Sequence, residues 1–217
     1  MNYRNGRNYE NLQKSNFPGV GKYGIPELAP TQFEGTYEYI PFNYALSARR
    51  QQGRAVHFFL DDYQFVRLWN RVDRYVSLLA KYDYVFSPDF SLYADFPVAV
   101  QIFNHFRKHW IGAYLQSEGI KVIPTITWST TESFEWCFDG EPVGATVAVS
   151  CVGCMNSQAS KTMFQIGYQE MIRRLQPETI LLYGSGAAPK ECFDAPARII
   201  KIKAFQEKFG GYADHGR

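Results

Sequence analysis

Aspartates and hydroxyl side chains recur in this sequence directly behind short apolar runs. His57-Phe58-Phe59-Leu60 leads into Asp61-Asp62, Tyr84 to Ser87 into Pro88-Asp89-Phe90-Ser91, and Lys121 onward into Thr125, Thr127, Trp128 and Ser129. Ala145 to Cys151 closes on Ser150-Cys151, and Thr179 to Tyr183 opens into Gly184-Ser185. A carboxylate in such a place can act as general base, nucleophile or acceptor for a ligand hydroxyl. Asp89, with Asp62 assisting, is the candidate catalytic pair. Asp61, Ser91, Thr125, Thr127, Trp128, Tyr183, Gly184 and Ser185 are the candidate ligand-binding residues. Among them Trp128 offers a face for stacking a planar base, and the amides from Tyr183 to Ala188 can cradle an anion. Each also has a plainer reading: Asp61, Asp62 and Ser129 are helix-capping types, Asp89 suits an Asx-turn, and Trp128 suits a core. The glycine loop matches neither the dinucleotide fingerprint nor the P-loop, and Pro189 removes an amide donor beside it.

Metal chemistry has less to build on. Cys151 and Cys154 have the spacing of a metal hairpin, but Cys137 and Cys192 are isolated and supply no second pair. No metal and no cofactor are therefore expected, and the compartment argues for thiols over disulfides. His57, His105, His109 and His215 form no recognisable triad. His105 and His109 share a helical face, which reads as an exposed or partly packed pair.

The elements that must position these residues follow from periodicity. Ala55–Leu60, Tyr84–Ser87, Lys121–Trp128, Ala145–Cys151, Thr179–Tyr183 and Arg198–Ala204 read as six strands. Between them, Phe65, Leu68, Trp69, Tyr75, Leu78 and Leu79 mark a helix interrupted near Val72. Pro97 and Gly119 punctuate a second, with Ile102, Phe103, Phe106, Trp110 and Tyr114 on one stripe. Ser129 and Glu132 make the capping box of a short helix, and Ser160–Leu175 is amphipathic. Strands alternating with helices imply crossover connections and a mainly parallel sheet, so the fold class is α/β, as an open sheet or a partial barrel. In such folds the loops beyond the carboxyl ends of the strands gather into one crevice, which is where the candidates fall. Residues 1–16 read as a flexible tail, 17–50 as an extended arm on the core, and 51–217 as the α/β domain.

Composition narrows the classes. Of the 217 residues, 46% are hydrophobic and 17% aromatic, which is material for a core and excludes a disordered polymer. Against 21 acidic residues stand 23 basic ones, a formal +2, which is far from the excess of a dedicated duplex binder. Met1 to Ser15 holds no apolar run of a signal peptide, and no later stretch reaches the length of a membrane span, so a cytoplasmic protein with no membrane partner is expected.

Three longer stretches carry a family resemblance: His57 to Phe65, Ser87 to Tyr93, and Val122 to Ser129. With Phe134-Glu135-Trp136-Cys137-Phe138-Asp139-Gly140, the chain from about Phe17 to Gly184 resembles domain-of-unknown-function family 4417. The resemblance implies a bacterial, phage or mobile-element setting and transfers no activity to any residue. The run of strand-end motifs is also similar, at the level of fold, to the partial barrels of base-exchanging transglycosylases, although no residue match carries their nucleophile over.

Three functions compete. The first is an enzyme acting on a nucleotide or nucleic-acid base, with Asp89 as base or nucleophile, Asp62 assisting and Trp128 stacking. The second is a module that binds or sequesters a nucleotide or a host protein without turnover. The third is an interaction protein whose aromatic arm, Phe33, Tyr37, Tyr39 and Phe42, assembles an oligomer.

Overall fold

A computed structural model describes residues 10–204. A short antiparallel hairpin, β1 (Gly19–Val20) and β2 (Ile25–Pro26), comes first. β3 (Glu38–Pro41), α1 (Phe42–Ala45), β4 (Arg54–His57), α2 (Asp62–Asn70), α3 (Asp73–Leu79), β5 (Tyr84–Phe86), α4 (Val98–Ser117) and β6 (Val122–Ile123) follow. After a 3-10 turn at Thr131–Glu135 come β7 (Thr146–Ser150), α5 (Gln158–Leu175), β8 (Thr179–Tyr183), a second 3-10 turn at Lys190–Asp194, and β9 (Arg198–Ile202).

Strands β3-β4-β5-β6 form one parallel sheet and β7-β8-β9 another. A single parallel bridge between Thr125 and Ala148 joins them into a run of neighbours in chain order. Pro124 sets this seam: β6 stops before it, Ala148 N–H donates to its carbonyl, and Ile126 N–H donates back to Ala148 O, both at 2.8 Å. A proline cannot donate to a ladder, so the strand expected to reach Trp128 is cut to two residues and the chain turns from β5 toward β7. Every strand from β3 to β9 points the same way, and their carboxyl ends share one rim.

Both faces of the later strands are buried, and the period of two divides them. Val147, Val149, Ile180 and Leu182 pack outward against Phe164, Tyr168 and Met171 of α5. Ala148, Leu181, Tyr183 and Ile202 pack inward, into the cluster that also holds Val56, Phe58, Phe86, Tyr39 and Ile40. Across this interior Tyr183 stacks on Phe59, with ring centres 4.7 Å apart. Residues of the two outermost strands thus share one core, and the sheet is curled as a partial barrel; no β3–β9 pairing is present among the described residues.

The chain before β4 lies against the core. From Glu10 on it is docked: Asn11 is buried with Nδ2 donating to Trp69 O, Lys14 pairs with Asp73, and Trp110 donates to Ser15 O. The rest of the expected tail lies outside the described residues, as do residues 205–217. The arm supplies β3 itself, and its rings pack inside the chain, Phe33 on Tyr84 and Phe42 on Phe58.

Helix α4 is turned differently from expectation. The apolar stripe leaves Phe103 exposed and Ile102, Phe106 and Tyr114 half-buried, with Trp110 alone fully covered. The first half of the helix buries a polar line, Gln101, Asn104, His105, Lys108 and His109, and the second half buries Ile111 and Leu115.

Candidate functional site

The loop after β5 is held on three sides. Thr125 N–H donates to Ser87 Oγ and Thr125 Oγ1 donates to Ser87 O, each at 2.8 Å. Asp62, the first residue of α2, accepts from Ser91 Oγ at 2.9 Å and from Ser91 N–H at 3.2 Å. Asn104 Nδ2 donates to Ser91 O at 2.7 Å, and the Arg107 guanidinium lies 3.7 Å from the centre of the Phe90 ring. Arg107 also approaches Asp62 at 3.7 Å. Three parts of the chain therefore fix one short loop, and Asp89 sits in it.

Asp89 is partly open to solvent as a residue, yet its Oδ1 is buried and has no hydrogen-bond partner. Burial pushes its carboxyl up to about 7; the Lys108 charge offsets part of this, and the charge of Asp62 adds to it. Asp62 and Asp89 are thus brought together at the carboxyl rim. Asp62 is engaged in clamping the loop, whereas Asp89 is free at one oxygen. Across the rim, burial and then the charge of Asp89 raise the half-buried Cys154 thiol to about 11.

The remaining candidates separate. Thr125 is buried at the seam, and its carbonyl accepts from Lys108 Nζ at 2.8 Å. Thr127 is half-buried beyond it. Trp128 packs on Phe164 with ring centres 5.5 Å apart, and it lies so close over Gly167 that any Cβ there would collide with the indole. Its ring is a wall of the second core. Asp61 stands at the N-cap of α2 without a capping bond and is exposed. The amides after Tyr183 are already engaged: Gly184 and Ser185 both donate to Ile202 O, at 2.9 and 3.3 Å. With Ala187 and Ala188 donating to Gly184 O and Ser185 O, the loop is a hydrogen-bonded turn.

Ser129 does not cap. Thr130 precedes the 3-10 turn, and the Ser129 hydroxyl donates to Gln101 Oε1 at 2.6 Å instead. The four cysteines are thiols outside any disulfide, and Cys151 Sγ points at Gly184 O, 2.8 Å away.

Behind the loop lies a network that sequence reasoning missed. Lys108 Nζ donates to Glu141 Oε1 at 2.6 Å, and His109 Nε2 is 3.0 Å from the same oxygen. His109 Nδ1 is 2.8 Å from Pro26 O, and His105 Nε2 is 3.1 Å from Asp139 O. Burial would raise Glu141, but the Lys108 and His109 charges and their hydrogen bonds outweigh it and leave the carboxyl lowered. Burial holds His105 well below the ordinary imidazole value, and the charges of Lys108 and His109 push the same way. The pair read as exposed or partly packed is in fact sealed. A signal existed: Gln101, Asn104, His105, Lys108, His109 and Gly112 recur at helical spacing.

Two grooves lie away from this rim. One, of about 730 Å³, runs along the amino edge of the sheet past Lys121, Thr146 and Glu178. The other, of about 630 Å³, lies on the flank of α2 and α3 and is lined by Arg67, Arg71 and Arg74 with Leu46 and Tyr75. No helix among the described residues is long and apolar enough to cross a membrane.

Comparison with known proteins agrees with the motifs at the strand ends. The family described as "Domain of unknown function (DUF4417)" matches residues 17–203. The chain belongs to this family. It is 42% identical over 171 residues to the "Gene 1 protein" of Mycobacterium phage L5, covering 77% of this chain and 74% of that one. It is 41% identical over 175 residues to the "Gene 1 protein" of Mycobacterium phage D29, covering 77% of this chain and 63% of that protein, so its match spans less than two thirds of the D29 relative. No solved structure matches.

Proposed function

We propose that this member of the family is an enzyme acting on a nucleotide or a nucleic-acid base, with Asp89 as the group that takes and returns the proton. The observation that carries the reading is the Asp89 carboxyl, held at about 7 on the carboxyl rim of a parallel sheet with one buried oxygen unengaged. A general base works best when its pKa lies near the operating pH, and an ordinary surface aspartate lies about 3 units too low for that. The clamped loop adds preorganisation, because Ser87 and Ser91 on either side of Asp89 are both hydrogen-bonded into the frame. Asp62 serves by holding Ser91 and by raising Asp89. Apart from the rim, the α2–α3 groove lined by Arg67, Arg71 and Arg74 offers guanidinium partners for a phosphate.

That groove also favours the second reading, a module that holds a nucleotide or nucleic acid without turning it over. Incubating the protein with nucleoside mono- and triphosphates, free bases and short single-stranded oligonucleotides, with products followed by mass spectrometry, separates the two. Turnover of one substrate by wild type, lost in Asp89→Asn with binding retained, is the expected result. Binding with no product in wild type, lost on Arg67→Ala/Arg71→Ala, would establish the binding module and remove the enzyme.

A further inference from the structure

The buried network beside α4 has an electrostatic peculiarity that hydrogen bonding alone does not resolve. Each histidine has one ring nitrogen facing a backbone carbonyl, His105 Nε2 at Asp139 O and His109 Nδ1 at Pro26 O. A carbonyl only accepts, so those nitrogens carry the protons, and in neutral rings His105 Nδ1 and His109 Nε2 carry lone pairs. His105 Nδ1 is buried with no partner, as is Glu141 Oε2. His109 Nε2 stands 3.0 Å from Glu141 Oε1, a contact that needs either a second proton on the imidazole or a cation between the two. Acceptors facing one another out of water need a positive centre among them, and Lys108 reaches only Glu141 Oε1 and Thr125 O.

We infer that His105, His109 and Glu141 bind one borderline divalent transition-metal ion, zinc being the best fit. One donor atom from each residue lies within 4.8 Å of the others, and all three side chains are buried. Two imidazoles and a carboxylate are a donor set suited to zinc or iron(II), and calcium and magnesium, which demand oxygen, are disfavoured. The histidines stand four residues apart on α4, which puts them on one face of the helix. The backbone carbonyls that fix their tautomers are the usual outer partners of metal-bound histidine. Close packing keeps them there: a Cβ on Gly140 would lie 2.8 Å from His109 Nδ1 and 2.5 Å from Pro26 O. Both oxygens of Glu141 bring the set to four, and Lys108 stays on Oε1 as a hydrogen-bond donor. Sealed from solvent, the ion ties β2, α4 and the Asp139–Glu141 turn together. Its role is structural and lies outside the proton chemistry assigned to Asp89.

The test uses the full chain, stripped with a chelator and titrated with Co2+ and then Zn2+. Ligand-field absorption on adding Co2+, displaced by about one equivalent of Zn2+, and a raised thermal midpoint with Zn2+ are expected. His105→Ala removes the unpartnered Nδ1 together with the Nε2 bond to Asp139 O and leaves the Lys108–Glu141 pair intact; in variant protein whose circular dichroism matches wild type, the affinity should fall at least tenfold. X-ray absorption of the zinc-loaded wild type needs no variant and should show nitrogen and oxygen neighbours only. A zinc–sulfur shell at about 2.3 Å would overturn the assignment in favour of cysteine. Failure of the wild-type chain to bind either ion, or unchanged affinity in a folded His105→Ala, would overturn it too.

Discussion

Glu141 and Asp89 are both carboxylates drawn out of water near the same lysine, and the fold treats them in opposite ways. Glu141 has Lys108 and His109 on one oxygen, and its carboxyl is lowered in spite of burial. Asp89 feels Lys108 only at a distance, has an unengaged oxygen and the charge of Asp62 nearby, and is raised to about 7. A buried carboxylate that is paired locks structure, whereas one left short of partners is poised to exchange a proton. The difference between the two regions lies in contact with the ammonium, since burial is common to both.

The largest effect should come from removing that contact. In protein stripped of metal, Lys108→Met leaves Glu141 buried without its ammonium partner, and breaking a buried pair in this way costs about 3–5 kcal/mol. Urea unfolding should show a loss of that size, and Lys108→Met/Glu141→Gln should recover most of it. A loss below about 1 kcal/mol would mean that the pair is no more than a surface bridge and the contrast with Asp89 would collapse.

Asp89 should respond in the other direction. Its folded pKa lies above the unfolded value of about 3.9, so the folded state binds the proton more tightly and stability falls as pH rises from about 4 to about 7. Asp89→Asn removes a charge that the fold holds unfavourably. The variant should therefore be more stable than wild type above about pH 7, by an amount on the order of 1–3 kcal/mol, and equal to it below about pH 4. Turnover should be lost at every pH. A variant destabilised at high pH would make Asp89 a structural turn residue.

Legibility in the sequence followed the same division. The strands were visible because β-branched and aromatic runs stop at polar punctuation; Thr179–Tyr183 was read to the residue. Their parallel course followed from the intervening helices, and with it the meeting of Asp62 and Asp89 at one rim. Periodicity in α4 was equally clear but ambiguous: a period of 3.6 separates two faces without saying which one points inward. Phe103 and Phe106 outbid His105 and Lys108 as core because burying a lysine and two histidines needs partners, and Glu141, Asp139 and Pro26 stand far off in sequence. No local pattern marks Glu141. β3 went unread because an edge strand of four residues amid proline and glycine has too little alternation to register.

A smaller effect bears on the clamp. Asp62→Ala deprives Ser91 of an acceptor for both its hydroxyl and its amide, and it leaves Arg107 with only the charge of Glu10 to face. The loss should be about 1–2 kcal/mol by thermal unfolding. Lifting the Asp62 charge should also bring the Asp89 pKa down, which carbon-detected NMR of the carboxyl can follow. If the Asp89 pKa stays put, Asp62 holds the loop and has no electrostatic part in the site.

The smallest effect separates a cap from a strut. Ser129 was expected to cap the turn after β6, where its loss would cost only a bond to exposed backbone. The structure gives its hydroxyl to Gln101 Oε1 instead, and Gln101 Nε2 continues to Phe96 O at 2.8 Å, so the hydroxyl ties the loop after the seam to the start of α4. Ser129→Ala should cost about 1 kcal/mol because it leaves the buried Gln101 carbonyl without a donor. The companion Gln101→Leu decides the origin of that cost. If the hydroxyl acts through Gln101, the double variant should lose less than the sum of the two singles, since each removes the same bond. Additive losses would mean that Ser129 stabilises the turn by itself, and α4 would then be held against the rim by Asn104 and Lys108 alone among its buried polar side chains that reach the β5 loop and the seam.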